Sequence, residues 1–194
     1  VESFRKLDPL FEGFETDLVF GKGGFEVRRL EDPASGLFVE KFFQSEKSKK
    51  NLYWFDLKNL DESNASAVVA ELNRLDSAHQ LKDRILVESK NLAPLKKVAA
   101  AGYFTSWYLV PDEKKSDALD AYANEVARGI DGSVSAISLP FEFLGWADKH
   151  FPGVHKLTWN VGDWHHKQCK DTVAALLKRD DINVVLVKYR IAGD

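Results

Sequence analysis

The chain has 194 residues, 44% hydrophobic and 12% aromatic, enough for a substantial core, and the expectation is a single domain over 1–194. A formal net charge of −3 with acids and bases interspersed argues against a dedicated nucleic-acid binder and leaves a small anionic ligand open. No apolar run is long enough for a transmembrane segment, the single Cys169 excludes an internal disulfide, and the absence of methionine suggests that Val1 is not the natural start.

Taken in chain order, "VESFRKLDPLFEG" (1–13) reads as a helix with no strand before it. "GFETDLVF" (13–20) and "GFEVRRL" (24–30) read as strands, and Gly21, Gly23 and Gly24 between them predict a hairpin. Further strand-like runs are "LYWFDLKNL" (52–60), "RILVES" (84–89), "YFTSWYLV" (103–110), "VSAISLP" (134–140), "KLTWNVG" (156–162) and "NVVLVKYR" (183–190). Amphipathic stretches of helical length lie between most of them: 64–79, with Val68, Leu72 and Leu75 in phase and Asn64 or Ser66 as cap, then 92–102, 115–129 and 166–180. Strand, helix and strand in succession imply parallel pairing with right-handed crossovers. With the hairpin arm set aside, seven strands remain, one short of a closed eight-stranded barrel. The expectation is therefore an α/β fold, a TIM-like (β/α) barrel whose first strand is missing from the recorded chain. An open doubly wound sheet is the competing architecture.

Charge sits late in three of these apolar strands. Residues two apart on a strand share a face, which pairs Glu15 with Asp17, Asp56 with Lys58, and Glu88 with Lys90. A carboxylate withdrawn from water needs a cation or several hydrogen bonds. In a barrel, C-terminal strand ends converge on one mouth, so Glu15, Asp17 and Asp56 would form an oxygen-rich cluster suited to a divalent cation, Mg²⁺ or Ca²⁺. Lys58, Lys90 and Lys188 would add positive charge, and metal plus lysines suits a phosphate group. The bland alternative is a set of structural ion pairs, such as Asp56 with Lys90 or Glu88 with Lys58; repetition on three strands favours a site.

Other motifs carry less. "GKGG" (21–24) lacks the spacing of a phosphate-binding loop. His165 and His166 in "WHH" read as surface or capping residues, and Cys169 as an inert thiol. Trp159 reads equally as a core aromatic or an apolar pocket wall.

These residues resemble the glycerophosphodiester phosphodiesterases and the wider phospholipase C-like phosphodiesterase barrels. That family opens with a strand ending in a catalytic histidine, followed by a helix and an E-x-D strand. "VESFRKLDPLFEGFETDLVF" is similar to that helix and strand, with Glu15 and Asp17 in the E-x-D positions. "GFEVRRLEDPASGLFVEKFF" (24–43) is similar to the hairpin that carries a second histidine, but Arg28 and Arg29 stand where the histidine is expected. "LYWFDLKN" resembles the next strand, with Asp56 completing the metal site beside Lys58, and "KLTWNVG" and "NVVLVKYR" resemble the last two. The resemblance implies a phosphodiesterase-like barrel acting on a glycerol- or lipid-derived phosphodiester. A small-molecule or lipid-headgroup phosphodiester is the expected partner. Glu15, Asp17 and Asp56 would hold the cation, Lys58 and Arg29 would act at the phosphoryl group, and Glu88, Lys90 and Trp159 would contact substrate. In the family the substrate's own hydroxyl attacks first, with the two histidines as acid and base; arginine is a poor proton shuttle. The rival readings are a barrel that binds a phosphorylated ligand without turnover, and a partner-binding domain whose strand-end charges are only ion pairs.

Overall fold

The computed structural model describes residues 11–45, 50–111 and 118–189. The helix expected over 1–13 lies outside these up to residue 10, and Gly13 already opens a strand. The chain divides into two compact units, Val1–Thr105 and Ser106–Asp194.

The first unit is built on β1 (Gly13–Gly21), β2 (Gly24–Val27), β3 (Leu52–Leu57) and β4 (Ile85–Ser89), hydrogen-bonded in the order β2-β1-β3-β4. β1 and β2 form the expected antiparallel hairpin, closed by Gly21 opposite Gly24. Gly24 has φ +98°, a backbone conformation that favours glycine. β1, β3 and β4 are parallel. β3 is buried from Tyr53 to Leu57, the near-continuous apolar run of a strand covered on both faces. Helices α1 (Glu40–Ser45), α2 (Ala65–His79) and α3 (Leu92–Ala100) accompany these strands. α2 buries Val68, Leu72 and Leu75, as their spacing predicts. Asn64 precedes α2 but makes no side-chain cap; its amide instead donates to the Asn59 carbonyl at 2.7 Å. α1, only six residues long, gave no periodic signal in the sequence.

In the second unit β6 (Ala136–Pro140), β7 (Lys156–Trp159) and β8 (Ile182–Val185) pair in parallel, in chain order. β5 (Phe104–Tyr108) crosses the division between units and pairs with β6. The strand read over 183–190 is shorter than expected, and Lys188 joins only an isolated bridge to Asp163. Helices α4 (Leu119–Gly129), α5 (Leu144–His150) and α6 (Lys167–Leu176) complete the unit. Within each unit the parallel strands follow chain order without reversal, which is barrel winding; a doubly wound sheet reverses at a switch point.

The N-terminal ends of β7 and β8 carry a charge network. Lys156 is wholly buried, with Nζ donating to the Val154 carbonyl at 2.9 Å and to Asp181 at 2.8 Å. Arg179 forks onto Asp148 at 2.6 and 3.0 Å and also donates to Asp181 at 2.8 and 2.9 Å. Hydrogen bonds from Arg179 first, then those from Lys156 and both positive charges, hold Asp148 and Asp181 below the usual carboxylate range. Two acids and two bases satisfy each other here, as in a structural ion-pair cluster.

Candidate metal centre at the strand ends

The register of the first unit decides which side chains meet. Asp17 lies opposite Asp56 in the β1–β3 ladder, and Asp56 lies opposite Glu88 in the β3–β4 ladder. Three acids thus form one row across three parallel strands, near the C-terminal limit of the pairing. Glu15, two residues before Asp17, is on the same face. Beyond the ladder the strand ends stay joined: Lys58 N–H donates to the Leu18 carbonyl at 2.9 Å. The Asn59 side chain accepts from Phe20 N–H at 2.8 Å and donates to the Phe20 carbonyl at 2.9 Å.

Glu15, Asp17 and Asp56 each present a carboxylate oxygen, and these atoms all lie within 4.8 Å of one another. Lys58 bridges two of them, with Nζ 2.7 Å from Asp17 Oδ1 and in contact with Asp56 Oδ2. Arg29 reaches the other Asp17 oxygen, Nε to Oδ2 at 3.3 Å, from a side chain 67% exposed. Of the ion pairs that the sequence left as the alternative, Glu88 with Lys58 is not formed, since Lys58 pairs with Asp17 and Asp56, while Lys90 does act on Asp56 through its charge.

The electrostatics of the cluster are unbalanced. Glu15 is pushed up to about 7, first by burial and then by the negative charges of Asp17 and Asp56. Asp56, 8% exposed, is also raised: burial outweighs the hydrogen bond and charge of Lys58, and Asp17 adds repulsion. The Lys58 pKa is raised as well, which for an ammonium keeps the charge instead of removing it. Burial disfavours its charge, but hydrogen bonds to Asp17 and Asp56 overcome this, so it remains an ammonium. Three hard oxygen donors, crowded and partly starved of countercharge, are a donor set that fits Mg²⁺ or Ca²⁺.

The remaining sequence candidates fall in different places. Glu88, in register with Asp56, is 2% exposed, and Lys90 is exposed, its charge acting favourably on Asp56. Trp159 and Lys188 belong to the second unit, where Trp159 ends β7 and stacks on Tyr108 at 4.9 Å with 17° between the rings. His79 is the one histidine in the sequence of the first unit, and its Nε2 lies 3.2 Å from Glu40, in a cluster with Arg74 and Glu71. Sequence reasoning missed Asn59, whose signal was an amide directly after a strand end. Arg28 and Arg29 both stand where the histidine is expected, and the sequence reading gave a role to Arg29 alone. Arg28 is consumed by its own loop: Nε donates to Glu26 at 2.8 Å, and Nη1 to the carbonyls of Arg29, Leu30 and Asp32 at 3.2, 3.3 and 3.0 Å.

No family model and no curated protein sequence matches this chain. Solved structures do. A glycerophosphodiester phosphodiesterase from Parabacteroides distasonis superposes with a TM-score of 0.63 at 12% identity, covering 96% of this chain and 84% of that one. A protein assigned to the same activity from Galdieria sulphuraria gives 0.64 at 13% identity, covering 96% and 85%. Another, from Agrobacterium tumefaciens, gives 0.65 at 14% identity, covering 95% and 85%. At such identities the likeness speaks for architecture. The chain therefore has the TIM-like (β/α) barrel fold seen in glycerophosphodiester phosphodiesterases, with an acidic triad on its E-x-D strand and the strand beside it.

Proposed function

We propose that this protein is a phosphodiesterase-like barrel acting on a glycerol- or lipid-derived phosphodiester, with a divalent cation, Mg²⁺ or Ca²⁺, held by Glu15, Asp17 and Asp56. The convergence of three carboxylates from two strands around Lys58, in the fold of known phosphodiesterases, carries this reading. A bound cation would supply Lewis-acid polarisation of a phosphoryl oxygen. Lys58, held protonated by Asp17 and Asp56, provides a fixed positive charge and a hydrogen-bond donor for the same phosphoryl group; it cannot serve as a base while it stays charged. Arg29, exposed at the edge of the cluster, offers a fork suited to two phosphate oxygens. Glu88 and Lys90 are assigned to the substrate side of the row.

The test is product release from a panel of glycerophosphodiesters and lipid-derived phosphodiesters with Mg²⁺ or Ca²⁺. Hydrolysis that disappears in Asp17→Asn and Asp56→Asn is expected. Equal turnover in both variants would remove these residues from the mechanism. Saturable binding of the phosphodiesters without product would turn the reading into that of a binding barrel.

A further inference from the structure

Arg29 reaches Asp17 because of how the loop after β2 is built. Backbone bonds close the base of that loop: Arg28 N–H to the Asp17 carbonyl at 3.0 Å, Val27 N–H to the Leu37 carbonyl at 2.8 Å, and Val39 N–H to the Phe25 carbonyl at 3.0 Å. Inside it, Glu26 and Arg28 act as one unit. One Glu26 oxygen accepts from Arg28 Nε at 2.8 Å, and the other accepts from Gly36 N–H at 2.8 Å. The Arg28 guanidinium then gathers three loop carbonyls, including that of Arg29 itself. A side chain with multiple donors in a planar fork is suited to this task, and an ammonium is not. The consequence is local: the Arg29 backbone is fixed, and its free side chain lies on Asp17 Oδ2, while Lys58 occupies Oδ1.

Resting on the cation reading proposed above, we infer that the Glu26–Arg28 pair is a positioning device that keeps Arg29 on Asp17 as an internal cation competing with the divalent ion. With the cation absent, Arg29 supplies part of the countercharge the triad lacks. When the cation takes Asp17, Arg29 is displaced at the rim, still tethered by its fixed backbone, with its fork free for a phosphate. An exposed ion pair is weak, so the competition is modest, a factor of about two to five in cation affinity.

The experiment is a Mg²⁺ titration, read as the rise in melting temperature with cation concentration, of the wild type, Arg29→Ala, Arg28→Lys, Glu26→Gln and the Arg28→Lys/Arg29→Ala double variant. The melting temperature without cation shows that each variant is folded; Arg28→Lys and Glu26→Gln keep side-chain size for that reason. Arg29→Ala should tighten Mg²⁺ binding about two- to fivefold. Arg28→Lys and Glu26→Gln should tighten it in the same direction, and the double variant should do no more than Arg29→Ala alone. A merely structural loop would give unchanged or weaker binding in the Arg28 and Glu26 variants, or effects that multiply with Arg29→Ala, and either result overturns the inference while leaving the cation centre standing. If the wild type shows no response to Mg²⁺, the cation centre fails and the inference falls with it.

Discussion

Two charge clusters, one in each compact unit, are built from the same residue types and behave oppositely. In the second unit Asp148 and Asp181 face Arg179 and buried Lys156, and both acids are held below their ordinary range. In the first unit Glu15, Asp17 and Asp56 share Lys58 and the exposed Arg29, and Glu15 and Asp56 are both raised. Position matches this difference: the satisfied cluster lies at N-terminal strand ends and the deficient one at C-terminal ends. In a (β/α) barrel the former face serves stability and the latter carries chemistry. Ion pairing alone therefore does not separate the two clusters; a shortage of countercharge at the C-terminal strand ends does, and it is the feature on which the proposed cation centre rests.

The largest effect that sharpens the contrast is on turnover. Asp56→Asn should lower kcat/KM for the preferred phosphodiester by about two orders of magnitude or more, while the folded state survives, because a crowded carboxylate is removed. An activity assay beside a thermal melt checks both halves. Asp181→Ala should do the reverse. It strips a partner from fully buried Lys156 and should cost about 3 kcal/mol in denaturant unfolding. In the wild type this second cluster also sets a pH response: its acids are depressed in the folded state, so their stabilisation is present above about pH 4, the ordinary carboxylate range, and is lost as pH falls further.

Glu15 gives the opposite sign. Its folded value is raised to about 7 from 4.5, so between those values the native state holds a proton that the unfolded chain has released. Without divalent cation, stability from this group should fall as pH rises from about 4.5 to 7 and stay low above that. Glu15→Gln should flatten that slope and raise stability at pH 8 by on the order of 2 kcal/mol. Melts at pH 5 and pH 8 measure it, and a variant less stable than the wild type at pH 8 would contradict the claim of missing countercharge.

Much of this was legible in the sequence, for physical reasons. Period-two placement put Glu15 with Asp17 and Asp56 with Lys58 on common faces, and the structure keeps those faces. Turn chemistry at Gly21 and Gly24 fixed the hairpin. Register was not legible: whether Asp17 stands opposite Asp56 depends on how two strands 39 residues apart in sequence align, and no local pattern encodes it. For the same reason the sequence offered Glu88 as the ion-pair partner of Lys58, where the register brings Asp17 and Asp56 to it. The Lys156 network went unread because a lysine opening "KLTW" looks like a solvated flank; its burial follows only once Asp148, Arg179 and Asp181 arrive from α5 and the turn before β8. The short helices α1 and α5 offered too few turns to show a period.

Calorimetric titration of the wild type with Mg²⁺ and with Ca²⁺ at pH 7.5, repeated on an Asp17→Asn/Asp56→Asn double variant, bears most directly on the carboxylate cluster. One saturable cation per chain in the wild type, abolished in the double variant, is the predicted result. No heat from either ion, or binding undiminished when both aspartates are gone, would contradict it.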